Sequence, residues 1–430
     1  MDHTYQKTTL PNGLRVMKLH MPAVHSVFAN LYVKSGWRLE KSSESGISHF
    51  VEHMLFKGTT HYSNSREISE AVDNIGADIN GSTMPEYSEF SLIVHPRHLA
   101  DGMRIFGDFL TNSTFDSAEV ENEKEIIAEE LSQYSDIAGD SVNLDELACS
   151  LMWPMRSMSC SALGSYKTIK SFSRRQLIEH YRDHYVPSNM VLSVAGNYDP
   201  DKLDALLAEH FGDLSGEATL REPEYETGLG FPRSVYKRMP SRMAYMKLCH
   251  EACSYRDPNL ILVLVISDIL GGGISSRLFS TLREELGLVY DVSSGATMYS
   301  DVGSIDVITS TKASKLIPTL KCVLEQIRIL ADGGVTEEEL ARVKDRVACQ
   351  MDFMLDSPAD LNEWFGLREL LTSPEKMETP DDEMERLRSV TAEDLNRVVR
   401  EYLVPGRRGL VLVGAGSWRQ RRQIAKLLEQ

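Results

Sequence analysis

The sequence predicts an α+β protein of two duplicated domains of about 210 residues, each a largely antiparallel sheet packed with helices. Three observations carry that prediction. Ser171-Phe-Ser-Arg-Arg-Gln-Leu, Tyr185-Val-Pro and an apolar strand ending at Gly196 return, each 218 positions later, as Ser389-Val-Thr-Ala-Glu-Asp-Leu, Leu403-Val-Pro and an apolar strand ending at Gly414. An acidic helix following Asp116 has its counterpart following Thr336. Strands come in runs and helices in blocks, not in strict βαβ alternation, which favours antiparallel pairing. Residues 213–233 are rich in Gly, Glu and Pro without periodicity, so the domains fall at 1–215 and 234–430 with a linker at 216–233.

The elements follow in order. Leu10-Pro-Asn-Gly13 is a turn, and Leu14–His20 and Val24–Val33 are β-rich. Gly46–Gly58 has helix-compatible composition, with Ser45 as N-cap and Gly58 to end it. Asn64 and Glu67 form a capping box for a helix that stops near Gly76. Strands at Ala77–Thr83 and Glu86–His95 precede a helix over His98–Asn112 and an acidic helix from Ser117 to about Ser135. Residues 140–152 read as helix, 153–167 as irregular and 173–183 as helix. A buried strand at Asn189–Ala195 and a helix from Pro200 to about His210 close the first half.

Composition sets limits on function. With 42% apolar and 25% charged residues, the chain can bury substantial cores as a soluble globular protein. A net charge of −17 argues against nucleic acid or an anionic membrane surface as partner. No apolar run reaches the roughly 18 residues needed to span a bilayer. The first residues lack the pattern of a signal or transit peptide, and Cys149, Cys160, Cys249, Cys253, Cys322 and Cys349 are too scattered for a disulfide framework. A cytoplasmic location is the expectation. Cys249-His250-x-x-Cys253 lies beside a predicted strand with no second ligand pair near it, and reads as structural.

The chemistry concentrates at His49-Phe-Val-Glu52-His53. On a helix, positions i, i+3 and i+4 share a face, so two imidazoles and a carboxylate converge while Ile47, Val51 and Leu55 pack on the other side. That arrangement lets two histidines hold a zinc while the glutamate works on its water. A third ligand is required, and the acidic helix offers Glu119, Glu121, Glu123, Glu125, Glu129 and Glu130. Glu123 and Glu130 share a face, but spacing alone leaves the choice open. The repeat offset places the motif near Ser267–Leu270, where neither His nor Glu occurs, so only the first half can hold this metal. A second pair, His180 and His184 with Asp183, ends a helix whose repeat lacks histidine, and reads as structural; His95 and His98 read as surface residues. Gly271–Gly273 lacks the Gly-Lys-Ser/Thr of a phosphate loop and reads as a hinge before a helix at Ser276.

The stretch Gly46–Gly58 resembles the signature of the inverzincins, in particular the short-chain branch of the pitrilysin family that includes mitochondrial processing peptidase. The similarity runs from Leu10-Pro-Asn-Gly to the last strand. It implies a zinc endopeptidase with one Zn²⁺ per chain held by His49, His53 and Glu130, the last lying 77 positions beyond His53. Glu52 is then the general base, and Glu123 supports the site. Gly76-Ala-Asp-Ile-Asn80 matches the family's substrate-binding edge strand, with Asn80 as a binding residue. Arg283 and Tyr290 match a pair that reaches the bound peptide. Gly81 stands where relatives often have Ala, and the segment 153–166 is shorter than usual. The family also contains non-catalytic core proteins, which expect a broken ligand or a missing Glu52, and enzymes split between two chains. This chain carries every element, so the expectation is a self-sufficient homodimer acting on peptides or unfolded polypeptides held as an extended strand.

Overall fold

The computed structural model describes residues 5–136, 140–154, 161–218, 233–375 and 377–429. The expected linker lies outside the described residues except at its two ends. The first half runs β1 (Tyr5–Thr9), β2 (Arg15–His20), β3 (Val27–Val33), α1 (Ile47–Leu55), α2 (Ser65–Asn74), β4 (Asp78–Thr83), β5 (Ser88–Val94), α3 (Leu99–Thr111), α4 (Ser117–Gln133), α5 (Leu144–Met152), α6 (Tyr166–Ser171), α7 (Arg174–His184), β6 (Met190–Gly196) and α8 (Pro200–Phe211). The second runs β7 (Arg233–Arg238), β8 (Met243–Ala252), α9 (Leu260–Gly271), a π-helical turn (Phe279–Glu285), β9 (Val292–Met298), β10 (Gly303–Lys312), α10 (Leu316–Gly333), α11 (Glu337–Leu355), α12 (Pro358–Thr372), α13 (Pro380–Ser389), α14 (Ala392–Tyr402), β11 (Arg408–Gly414) and α15 (Trp418–Leu428).

Two compact units result, and they cut across the sequence halves. One gathers the residues up to Gln133, those at 161–218 and Asp352–Met377; the other takes 134–154, 233–351 and the residues from Glu378 on. Helices α5 and α12 hold matching places in the two repeats, Leu144 and Asn362 being 218 positions apart. Each belongs to the unit otherwise built from the other repeat. A division at 216–233 separates the repeats, not the units.

In the first unit six strands lie in the order β1-β2-β6-β3-β5-β4, antiparallel except for β2 beside β6. The predicted turn at Leu10–Gly13 joins β1 to β2, with Gly13 at φ 94°; the strand before it was not foreseen. One face of the sheet packs Leu14, Leu31, Phe90 and Leu192 against Phe50 and Val51 of α1, Phe106 and Phe109 of α3, Leu177 of α7 and Phe211 of α8. The other packs Met17, Leu19, Tyr32 and Val191 against Leu361 and Phe365 of α12. With both faces covered, β6 is buried at every position, which is why it reads as a continuous apolar run. Among the described residues strand β4 ends the sheet and pairs on one side alone.

Among the described residues the second unit repeats the order from β2 onward, β7-β11-β8-β10-β9, antiparallel except for β7 beside β11. The expectation of largely antiparallel sheets therefore holds in both. Helix α5 lies on this sheet, with Cys149 Sγ 3.1 Å from the Tyr299 hydroxyl and Trp153 edge-on to the same ring.

Candidate metal centre

The site is built on α1, whose N-terminus differs from the expectation. Gly46, not Ser45, is the N-cap residue, at φ 91°, and a Cβ there would come within 2.8 Å of Gly164. That left-handed turn takes Ser45 off the capping position, and its hydroxyl bonds the Ser161 carbonyl instead (3.3 Å). The open N–H groups of the first turn are met from further back. Glu40 accepts from Gly46 N at 2.7 Å and from Ser48 N at 2.8 Å, placing a carboxylate at the positive end of the helix dipole. The helix ends at Leu55, with Gly58 three residues beyond it.

Ile47, Val51 and Leu55 are buried as the periodicity predicts, leaving His49, Glu52 and His53 on the opposite face. His49 Nε2 and His53 Nε2 lie 3.1 Å apart, and Glu130 Oε2 of α4 is 3.9 and 3.8 Å from them. These are the one group of three candidate ligands that converge among the described residues. A triangle of those sides has a centre about 2.1 Å from each corner, within the ordinary range of zinc–nitrogen and zinc–oxygen bonds. The donor set of two imidazoles and a carboxylate therefore fits the ion in both chemistry and size.

The protonation states fit as well. Burial, helped by the neighbouring His53, pushes the His49 imidazole down to about 3, so it is neutral. Burial works to lower His53 too, but its bond to Glu123 and the charges of Glu52, Glu123 and Glu130 outweigh this and raise it. Glu123 Oε1 is 2.7 Å from His53 Nδ1, so this nitrogen donates its proton and Nε2 keeps its lone pair for the ligand position. Burial would raise the Glu123 carboxyl, yet its bonds to His53 and Lys57 hold it below the usual range. Glu52 is buried and raised for that reason, against a 2.7 Å bond donated by the Thr83 hydroxyl to its Oε2.

Three supporting residues were not foreseen: Glu40, Lys57 and Thr83. Lys57 could have been found from its place four positions after His53, and Thr83 from strand alternation with Gly81. Those two face α1, and a Cβ on Gly81 would lie 3.2 Å from Glu52 Oε1. Nothing in the spacing marks Glu40.

The other candidates are placed as follows. Asn80 is on β4 as expected, exposed, on the face opposite Gly81 and Thr83, with its Oδ1 accepting from Gly81 N. Arg283 and Tyr290 belong to the second unit and meet each other there, the guanidinium 5.3 Å from the Tyr290 ring centre; Tyr290 is 81% exposed. His180 Nε2 bonds Ser35 Oγ (3.1 Å), and His184 Nδ1 bonds the His180 carbonyl (2.9 Å), so this pair is structural. Cys249, His250 and Cys253 are buried on and beside β8. The glycine loop 271–273 is held by Arg346, which donates to the Gly272 carbonyl at 2.6 Å.

A His-x-x-Glu-His helix with a glutamate brought to it from a second helix, beside an edge strand, is the arrangement that the resemblance to the inverzincins implies. Family comparison agrees. Residues 15–152 match the insulinase model of peptidase family M16, and residues 171–347 match the model described as the peptidase M16 inactive domain. Among relatives, the uncharacterized zinc protease YmxG of Bacillus subtilis is 31% identical over 92% of this chain and 95% of its own. An uncharacterized zinc protease of Streptomyces coelicolor is 30% identical over 94% and 88%. In fold, the chain is similar to a Helicobacter pylori protease (TM-score 0.87, 19% identity, covering 96% and 99%). It is also similar to a Pseudomonas fluorescens structure titled as a peptidase M16 inactive domain (0.86, 20%, 96% and 98%). The chain belongs to peptidase family M16, the pitrilysin-type metallopeptidases.

Proposed function

We propose that this protein is a zinc-dependent endopeptidase acting on peptides or unfolded polypeptides. The observation that carries the reading is the convergence of His49, His53 and Glu130 around one point, with the buried carboxylate of Glu52 on the same helix face. Zinc bound there supplies Lewis acidity and lowers the pKa of water within its reach. Glu52 accepts the proton that the attacking water loses and returns it to the leaving amine. The Thr83 hydroxyl keeps that carboxylate in place. The unpaired edge of β4 takes the substrate as an added strand, through main-chain bonds that tolerate many sequences. Arg283 and Tyr290 complete the reading as donors to the bound peptide, in the role the family resemblance gives them.

The test is metal analysis and peptide hydrolysis for the wild type beside Glu52→Gln. Zinc should remain at about one per chain while turnover collapses, because the ligands are untouched and the base is gone. Undiminished turnover in the variant would remove Glu52 from the mechanism. A non-catalytic role predicts no hydrolysis by either protein. We further propose a homodimer, since this chain carries both the metal ligands and the Arg283/Tyr290 pair; inactivity alone that a second, different chain rescues would overturn it. The free thiols of Cys149, Cys249 and Cys253, all buried, support a reducing cytoplasm as the compartment, which fractionation of the producing cells tests.

A further inference from the structure

Glu123 is 1% exposed and uses both oxygens. Oε1 meets His53 Nδ1 at 2.7 Å, and Oε2 meets Lys57 Nζ at 2.7 Å. The histidine and the lysine come from one segment: Lys57 lies four positions beyond His53, just past the end of α1, tied back by its own N–H to the Met54 carbonyl (3.2 Å). One helix end thus grips a single carboxylate of α4 at both oxygens. A carboxylate bonded at one oxygen alone could rotate about its last bond, and its second oxygen would be a buried charge without a counter-ion. Held at both, it presents Oε1 to His53 at one angle, and that angle sets where the His53 lone pair points. The lysine side chain is 21% exposed, so its contact with Glu123 is not a loose surface pairing.

We propose that Lys57 is a positioning residue of the metal centre, acting through Glu123 on His53. The proposal rests on the reading that His49, His53 and Glu130 bind a metal, and is independent of what the metal then does. Outer partners of ligating histidines generally change metal affinity by 10- to 100-fold when removed.

The experiment measures zinc affinity of the full chain by competition with a chromophoric chelator. It compares the wild type with Lys57→Met, Lys57→Arg, Glu123→Gln and the double variant Lys57→Met/Glu123→Gln. Lys57→Met should weaken zinc about tenfold, and Lys57→Arg, which keeps the charge, should restore most of the loss. In the Glu123→Gln background Lys57→Met should cost nothing further, because the path is already cut. The cobalt-substituted Lys57→Met protein should show displaced visible bands, which a merely structural ion pair would not move. Lys57→Gln serves if Lys57→Met folds poorly. Wild-type affinity in Lys57→Met overturns the proposal, and so does an equal loss in both backgrounds. A wild type that binds no zinc overturns the metal reading itself, and that result appears before any variant is made.

Discussion

Thr83→Val removes one hydroxyl and almost no volume from the site. The hydroxyl donates to Glu52 Oε2 at 2.7 Å, and the carboxylate it serves is 8% exposed. A hydrogen bond to a charged acceptor is worth roughly 1.5–3 kcal/mol, and about 1.4 kcal/mol corresponds to one pH unit. Burial already raises the Glu52 carboxyl above its ordinary value, and the Thr83 bond opposes that rise. Losing the bond therefore raises it further. The base works only when ionised, so the acidic limb of kcat/KM against pH should move up by about one unit. Activity on that limb falls about tenfold and recovers at higher pH. The backbone of β4 is unchanged, so KM should hold, and Thr83→Ser should restore the profile. A fluorogenic peptide assay across pH on the three proteins reads all of this. Superposed profiles would refute the reasoning, and a uniform loss at every pH would show that Thr83 acts by some route other than the base.

Two further outcomes concern stability. His250 is 1% exposed, and burial, with the charge of Arg408 added, pushes it down to about 3. Below its ordinary value near 6.5 the unfolded chain gains a proton that the folded chain refuses, so this stability is present above 6.5 and lost as pH falls towards 3. By pH 4.5 the loss is about 2.5 kcal/mol, and denaturant titrations should show a shallower acid dependence in His250→Leu; an identical slope would refute it. Asn362 of α12 donates to the Phe28 carbonyl at 3.0 Å and the Ser193 carbonyl at 2.8 Å, both inside the first unit. Asn362→Ala should cost about 2–4 kcal/mol, seen as a lower denaturation midpoint at constant slope; an unmoved midpoint would count against the pairing.

The periodic parts of the fold were legible because they obey local rules. β-rich composition marked β3, an apolar run marked β6, and the capping residues Asn64 and Asp116 marked the starts of α2 and α4. What was not legible depends on distance. Ser45 looked like an N-cap because it has the right side chain one residue before the helix. The cap came instead from Glu40, across a left-handed turn whose geometry only Gly46 can adopt. The exchange of α5 and α12 was invisible for a related reason. The buried face of α12 includes Asn362, Gly366 and Glu369 and so carries little periodic signal, and the choice of sheet to cover is made by partners such as Ser193 and Tyr299, far away in sequence. At the metal, spacing delivered the two histidines and Glu52, while Glu130 required the family resemblance. A solvated acidic helix offers several equivalent glutamates, and only packing against α1 selects among them.

Helix packing also explains why, among the described residues, the second repeat has no such site. The repeat offset sets Gly271 opposite His53, Leu270 opposite Glu52 and Ser267 opposite His49. Loss of three side chains could have been the whole difference, but the backbone differs too. A Cβ on Gly271 would lie 2.4 Å from Ser294 N and 2.9 Å from the Ser293 carbonyl carbon, so α9 is packed directly on β9. In the first unit the small residue is on the strand instead. Gly81 yields, and the space it leaves is the space in which the Glu52 carboxylate lies, 3.2 Å from where a Cβ would be. One repeat keeps a gap between helix and edge strand, in which the Glu52 carboxylate lies; the other closes the gap by packing Gly271 on the Ser293–Ser294 backbone. The asymmetry therefore lies in the helix–strand distance as well as in the candidate ligands.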